Sequence, residues 1–150
     1  SSYLSTSDGI QLIRDVISHM LYRPSIQVAA GVFHSETKFL AMQRSDSEPG
    51  SGKWEFPGGS VESNESPEEA MIRELKEELG VTVLISEPFM TLDHDYGDQC
   101  VCLAVHRVTS WRGEPSGMEG QPLAWEQPAN LTDWPFPAAN QPILTRLLTD

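Results

Sequence analysis

One segment in the middle of the chain carries both start and stop signals for a helix, and it constrains the fold more than any other segment. Ser66 is a favoured N-cap residue, Pro67 suits the first helical position, and Glu69 can complete a capping box. Gly80 suits the position after the helix, because glycine readily adopts the left-handed conformation found there. The sequence therefore predicts a helix over Pro67–Leu79.

One face of this helix is acidic. At about 100° per residue, Glu74, Glu77 and Glu78 fall within one arc of about 100°. They lie in the C-terminal half, where the helix dipole favours cations, and each like-charged pair costs about 0.2 to 0.5 kcal/mol. Arg73 and Lys76 offset only part of this repulsion. Clustered carboxylates are stabilised by a hard divalent cation, so the face indicates an Mg²⁺ site, the alternative being a solvated acidic surface.

Segments with strand-forming composition lie on both sides of the helix. Two precede it, with a turn at His34–Thr37 between them, and Pro57-Gly58-Gly59 forces a turn before the helix begins. A Gly- and Pro-rich loop, Trp111–Pro122, and a final helix, Asn140–Leu148, follow. The predicted strands are Ile26–Phe33, Lys38–Gln43, Val81–Ile85, Phe89–Leu92 and Cys100–Val108. Mixed helices and strands around one sheet predict an α/β fold.

The chain has the length of a single domain, with 150 residues. Asp8–Leu21 has apolar residues at helical spacing, which predicts a short amphipathic helix ahead of the first strand. We therefore expect an N-terminal extension, residues 1–24, followed by one domain, residues 25–150.

Charge and cysteine content limit the partners and the compartment. A net charge of −12 repels a phosphate backbone, so a nucleic acid duplex is not expected as a partner. No apolar stretch approaches the roughly 20 residues that span a bilayer, and no secretory signal is recognised near Ser1. Cys100 and Cys102 share one face of a strand and cannot form a disulfide framework, which favours a reducing compartment. The expected location is the cytoplasm.

The acidic helix belongs to a longer pattern of nine constrained positions over the 23 residues of Gly59–Val81. Glu65 follows Gly59 after five residues, and Arg-Glu-Leu, Glu-Glu and Gly-Val complete the spacing up to Val81. This pattern resembles the box that defines the Nudix hydrolase family. The resemblance implies an α/β/α sandwich around a mixed β-sheet.

The resemblance also implies roles for the residues of the box. Glu74, Glu77 and Glu78 match the family's ligands for divalent metal, with Mg²⁺ as the expected ion and Mn²⁺ as an alternative. A backbone carbonyl of the glycine pair, at Gly58, is expected to add a ligand. The same ion would let an acidic protein hold a polyanionic substrate.

Two further roles concern residues around these ligands. Glu65 and Arg73 are expected to brace the loop before the helix and to orient Glu74. Glu114, on the later loop, matches the acid that joins the metal site or helps to activate water in MutT-like members. Its alternative role is that of an exposed loop carboxylate.

The similarity to MutT-like members extends beyond the box, from Gln27 to Leu148. The matching segments are Glu55–Gly59, Trp111–Pro115, Glu119–Pro122 and Phe136–Asn140. In these members an Asn side chain and the neighbouring backbone recognise the base, and Asn140 and Ala139 match them. Asn140 also suits a helix N-cap.

Two further positions match the family's base pocket, namely Arg44 and Phe56. They can equally be a solvated loop cation and a core aromatic residue.

The expected reaction is hydrolysis of a nucleoside triphosphate to a monophosphate and pyrophosphate, with 8-oxo-dGTP as the implied substrate. Guanine N7 accepts a hydrogen bond whereas 8-oxoguanine carries a proton there, so a fixed carbonyl near N7 would favour the oxidised base. Two alternatives stay open, a Nudix hydrolase of another nucleotide such as a (d)CTP analogue and a Nudix-fold binding module without turnover. A monomer is favoured, although the sequence does not determine the oligomeric state.

Overall fold

The computed structural model describes residues 9–14, 25–44 and 52–150. Seven strands form one mixed sheet with β1, Ser25–Ser35, at its centre. β1 runs parallel to β6 and antiparallel to β2 and β4; β5 pairs with β6, and β3 and β7 pair with β2. The other strands are β2 (Lys38–Gln43), β3 (Trp54–Glu55), β4 (Gly58–Ser60), β5 (Thr82–Asp95), β6 (Cys100–Arg112) and β7 (Leu123–Glu126).

Helices cover both faces of the sheet, so the fold is the expected α/β/α sandwich. They are α1 (Pro67–Leu79), α2 (Pro128–Leu131) and α3 (Gln141–Thr149), with a 3₁₀ turn at Ala138–Asn140. Alternation along β1 divides the core, because Ala29 and Phe33 pack with α1 whereas Ala30 and Val32 pack with α3. α1 is therefore fixed to one face of the sheet by its own apolar stripe.

The ends of α1 confirm the sequence prediction. The Ser66 hydroxyl accepts a hydrogen bond from the Glu69 N–H at 3.1 Å, and the Glu69 carboxylate accepts one from the Ser66 N–H at 2.9 Å. Gly80 ends the helix with φ of 71°, in the left-handed region. Local sequence signals thus set both ends of the element that carries the acidic face.

The prediction of separate strands at Val81–Ile85 and Phe89–Leu92 is wrong, because β5 is continuous. Register shifts between Val83 and Met90 accommodate the irregular part of the strand around Pro88. β5 also lies at an edge of the sheet, where the missing N–H of a proline is tolerated.

Other boundaries also differ from the sequence prediction. β6 extends through Trp111 and Arg112, for which the sequence predicts a loop, and the last helix begins at Gln141 because the preceding residues form the 3₁₀ turn. β3, β4, β7 and α2 were not predicted. Residues 9–14 of the predicted N-terminal helix are helical, and the rest of that prediction lies outside the described residues.

Two further expectations concern membrane-spanning helices and disulfide bonds. None of the helices in the described ranges is long and apolar enough to cross a membrane. Cys100 and Cys102 both lie on β6 and are free thiols.

Candidate active site

The acidic face of α1 lies against the short glycine strand β4. Gly58 pairs with Ala30 on β1, and a β carbon at Gly58 would overlap the carbonyl oxygen of Ala29. At Gly59 a β carbon would overlap the carboxyl group of Glu74. The glycine pair therefore lets β4 approach both the central strand and the carboxylates of α1.

Glu78 is the carboxylate most strongly perturbed by its surroundings. Its Oε1 accepts a hydrogen bond from the Gly58 N–H at 3.0 Å. Burial, followed by the charges of Glu74, Glu55 and Glu119, raises the pKa of Glu78 from its ordinary value near 4.5 to about 8. We call these four residues the acidic cluster.

Glu74 neighbours Glu78 in the acidic cluster, and its carboxylate is hydrogen-bonded by the guanidinium of Arg73. Its Oε1 accepts a hydrogen bond from Arg73 Nη1 at 2.9 Å. Burial raises the pKa of Glu74, and Arg73 opposes that rise without cancelling it. Its carboxylate is therefore partly neutralised from one side.

Arg73 connects α1 to the loop before it. Its Nε and Nη2 donate to Glu65 at 3.1 and 2.6 Å, and Nη2 also donates to the carbonyl of Ser60 at 3.0 Å. The hydrogen bonds from Arg73 hold the pKa of Glu65 below its usual range, and those to Glu65 and Glu74 raise the pKa of Arg73. This geometry is that of a brace between the loop and Glu74.

Glu77 takes a more exposed place on the same face. Its Oε2 lies 3.6 Å from Arg73 Nη1, and its side chain is 58% exposed. It therefore lies at the rim of the site, where a ligand could be met from solvent.

The later loop contributes Glu119 to this cluster, because Glu119 lines a small pocket together with Glu55 and Glu78. The Glu119 N–H donates to Gln121 Oε1 at 2.8 Å, and Gln121 Nε2 donates to the Glu78 carbonyl at 3.1 Å. Gln121 is buried, so these two bonds fix the loop against the end of α1. The sequence match singles out Glu114, which is not among the residues that line this small pocket.

The donor chemistry of the acidic cluster fits a hard divalent cation, because carboxylate oxygens meet there without an equal number of cations. Among the described residues, however, no three His, Cys, Asp or Glu side chains already converge as a metal centre. Glu74 is turned towards Arg73 and Glu78 towards the Gly58 amide. Binding an ion would require rotation of these side chains or oxygen ligands from the backbone or substrate.

A cavity of about 450 Å³ adjoins the glycine strand, and we call it the main cavity. All four predicted pocket residues, Arg44, Phe56, Ala139 and Asn140, line it. Asn140 precedes α3, but its side chain makes no N-cap hydrogen bond. The side-chain amide of Asn140 therefore does not act as the N-cap of α3, which was the alternative role.

Arg44 and Phe56 take part in the surrounding structure as well. Arg44 Nε and Nη2 each lie 3.0 Å from Glu55 Oε2, which links the main cavity to the acidic cluster. Phe56 is 4% exposed and packs on Phe136 with ring centroids 5.5 Å apart. Phe56 is thus both a core aromatic residue and part of the cavity wall.

Sequence patterns do not identify four residues of the site. Two of them, Glu55 and Glu119, belong to the acidic cluster, and the other two, Tyr96 and Gln99, line the main cavity from the turn between β5 and β6. Glu119 had a signal, since it lies in a segment already recognised as family-like. Tyr96 had none, because a turn residue with this spacing can face solvent as easily as a cavity.

Comparison with known proteins yields matches that span both parts of the site. A family model described as the NUDIX domain matches residues 24–147. The chain is 37% identical over 124 residues to the 8-oxo-dGTP diphosphatase of Escherichia coli K12, covering 81% of this chain and 95% of that protein. The CTP pyrophosphohydrolase of the same strain is 32% identical over 119 residues, covering 79% and 88%.

The structural comparison agrees with these sequence matches. A solved structure described as MutT from Aliivibrio salmonicida and Vibrio cholerae is 36% identical, with a TM-score of 0.73. The similarity covers 83% of this chain and 98% of that one. The two chains therefore share the α/β/α fold over most of their length.

Proposed function

The chain belongs to the Nudix family and is a nucleoside triphosphate diphosphatase, and on that premise we propose that it hydrolyses 8-oxo-dGTP to 8-oxo-dGMP and pyrophosphate. The observation that carries this proposal is the junction of the acidic cluster with the main cavity through the Arg44–Glu55 pair. A triphosphate lying across that junction has its phosphates near α1 and its base among Phe56, Ala139 and Asn140. We further propose that the domain spans residues 25–150, with residues 1–24 as an extension.

Nudix hydrolases depend on divalent metal, and Mg²⁺ is the proposed ion here, with Mn²⁺ able to replace it. Glu74, Glu77 and Glu78 supply carboxylate oxygens, and the Gly58 carbonyl is the proposed backbone ligand. Once bound, the ion neutralises phosphate charge and lowers the pKa of an attacking water.

Side chains of the protein position the groups that take part in the reaction. Arg73 holds Glu74 beside the glycine strand β4, and Glu65 holds Arg73. Glu119, rather than Glu114, is the proposed acid of the later loop, since it lines a small pocket together with Glu78. Attack at the β-phosphorus releases the nucleoside monophosphate.

Base selection is assigned to the wall formed by Ala139 and Asn140. The Asn140 amide has a donor and an acceptor for the base edge and is not used in capping α3. Asn140→Ala should lower kcat/KM for 8-oxo-dGTP roughly 5- to 150-fold, because an unpaired base edge costs about 1 to 3 kcal/mol. A fall in melting temperature with an unchanged ratio of 8-oxo-dGTP to dGTP turnover would remove Asn140 from base recognition.

A cytidine triphosphate is the second candidate substrate, because the chain is also similar to a CTP pyrophosphohydrolase. Pyrophosphate release should be measured in Mg²⁺ with 8-oxo-dGTP, dGTP, dCTP, CTP and a methylated cytidine triphosphate. The highest kcat/KM with 8-oxo-dGTP supports the proposal, whereas a cytidine preference replaces it with the second candidate. Binding of these nucleotides without any pyrophosphate release would favour a binding module.

A further inference from the structure

The turn between β5 and β6 has an ordered backbone and places Tyr96 at the main cavity. The Tyr96 N–H donates to the Gln99 carbonyl at 2.9 Å, and the Gly97 N–H donates to Asp95 Oδ1 at 2.7 Å. Gly97 has φ of 95°, which a glycine adopts without strain. These bonds order the backbone of the turn from which Tyr96 reaches the wall of the main cavity.

Tyr96 joins two distant parts of that wall. Its hydroxyl oxygen accepts a hydrogen bond from the Ala139 N–H at 3.2 Å, across 43 residues of sequence. Ala139 is buried, whereas Tyr96 is 41% exposed and lines the main cavity. The bond thus reaches from a buried backbone amide to a side chain that a ligand can contact.

This arrangement determines which hydrogen-bonding groups the wall offers. A tyrosine hydroxyl can donate one hydrogen bond as well as accept, and the Tyr96 hydroxyl already accepts from Ala139. Within the described part of the chain, its own proton has no acceptor. Accepting one hydrogen bond strengthens a hydroxyl as a donor, so Tyr96 offers the cavity a polarised O–H beside Asn140.

We infer that the Tyr96 hydroxyl donates a hydrogen bond to a carbonyl oxygen of the bound base and thereby contributes to base selection. This inference rests on the proposed function, since it names the group that meets the base in the same site. In 8-oxoguanine the N7–H lies between two carbonyl oxygens, O6 and O8, and either one can accept from Tyr96. Adenine has no carbonyl oxygen and would gain nothing from this contact.

Tyr96→Phe removes the hydroxyl and keeps the ring, so it is the direct test. Dissociation constants of the full chain should be measured calorimetrically for 8-oxo-dGMP, dGMP, 8-oxo-dAMP and dAMP. The variant should bind 8-oxo-dGMP about 5- to 20-fold more weakly and dAMP as the parent does. Weaker binding of 8-oxo-dAMP but not dGMP assigns the contact to O8, and the opposite pattern assigns it to O6.

The matched control is Thr145→Val, which removes a hydroxyl that donates to Gln141 within α3 and does not line the main cavity. It should leave all four dissociation constants unchanged. If Tyr96→Phe weakens all four nucleotides equally, or none, the inference is overturned; an equal loss identifies Tyr96 as a residue that only holds the wall together. The ratio between nucleotides decides this even when the variant melts at a lower temperature.

Failure of the proposed function has a different signature. A parent protein that binds dCMP more tightly than 8-oxo-dGMP would overturn the guanine assignment. Tyr96→Phe is then compared with the parent on dCMP, whose base has one carbonyl oxygen. Unchanged binding of dCMP would overturn the role of Tyr96 as well, and weaker binding would keep it for the other base.

Discussion

At the residue scale, Glu78 is the carboxyl group of the site whose pKa is shifted most from its ordinary value. Its pKa is raised from near 4.5 to about 8, so the folded state binds the proton more tightly than the unfolded chain does. This contribution to stability is complete below the unfolded pKa and is lost as the pH rises through the folded value. The free energy of unfolding of the metal-free protein should therefore decrease as the pH rises from about 4.5 to 8.

Glu78→Gln tests this directly, because the amide keeps the shape and removes the charge. In chelator at pH 8 the variant should be more stable than the parent by about 4 kcal/mol, or ~8 to 16 °C in melting temperature, and the gap should narrow towards pH 5. Its turnover with metal should fall on the order of 10² or more. Glu114→Gln, at an exposed position, is the control; equal melting of Glu78→Gln and the parent at pH 8 would contradict the expected burial of charge.

Substitution of the two glycines of β4 should affect different properties, namely kcat at Gly59 and stability at Gly58. The atoms nearest to a β carbon at Gly59 belong to the flexible end of Glu74, so Gly59→Ala should keep the fold but displace that carboxylate, lowering kcat about 10-fold or more. A β carbon at Gly58 meets the backbone of Ala29 and Ala30, so Gly58→Ala should lower stability by about 1 to 3 kcal/mol. Thermal melting and kcat measured on both variants separate the two effects. Similar stability losses in both would show that Glu74 cannot move aside.

Residue spacing alone located the carboxylates of α1 but not their partners. Glu74, Glu77 and Glu78 were predicted because a regular helix converts spacing into direction. Glu114 and Glu119 lie on one loop, and the hydrogen bonds of Gln121 determine which of them reaches Glu78. Those bonds depend on tertiary packing, which spacing does not encode.

At the scale of elements, the capping box of α1 supports the carboxylates from the far end of the helix. Ser66→Ala removes the acceptor for the Glu69 N–H and should cost about 1 kcal/mol, lowering the melting temperature by ~2 to 4 °C. kcat measured well below the transition should not change, because the acidic face lies at the other end. Glu69→Gln is the control, since glutamine retains the capping-box bond. A large loss of kcat in Ser66→Ala at low temperature would contradict a purely structural role.

Elements with strong local signals were predictable, and those defined by distant partners were not. α1 has caps at both ends, and its predicted bounds are confirmed. β7 has only four residues and exists because it pairs with β2, with Phe39 opposite Glu126. β5 was divided in the prediction because Pro88 is a strong local break, whereas bulges in the edge strand accommodate the irregularity.

At the scale of the whole molecule, a net charge of −12 and the acidic cluster predict that divalent metal stabilises the fold. Mg²⁺ at 100 times its dissociation constant should add about 2.7 kcal/mol to the free energy of unfolding, raising the melting temperature by ~5 to 10 °C. NaCl at equal ionic strength is the control for general screening.

Two glutamate variants locate the source of that gain. Glu119→Gln should reduce the stabilisation by Mg²⁺, whereas Glu114→Gln should retain it. An equal gain from NaCl, or full activity in excess chelator, would contradict a specific ion.

The central position of β1 has a consequence for how the protein is made. β1 is the first described strand to leave the ribosome, yet its parallel partner β6 begins only at Cys100, opposite Ser25. Until then one edge of β1 has no neighbour, while the hairpin with β2 and the pairing with β4 can already form. Such distant pairing slows folding, because a long loop must close first. The glycine strand and the acidic helix can therefore assemble early in synthesis, and the wall that meets the base is completed only when the last third of the chain arrives.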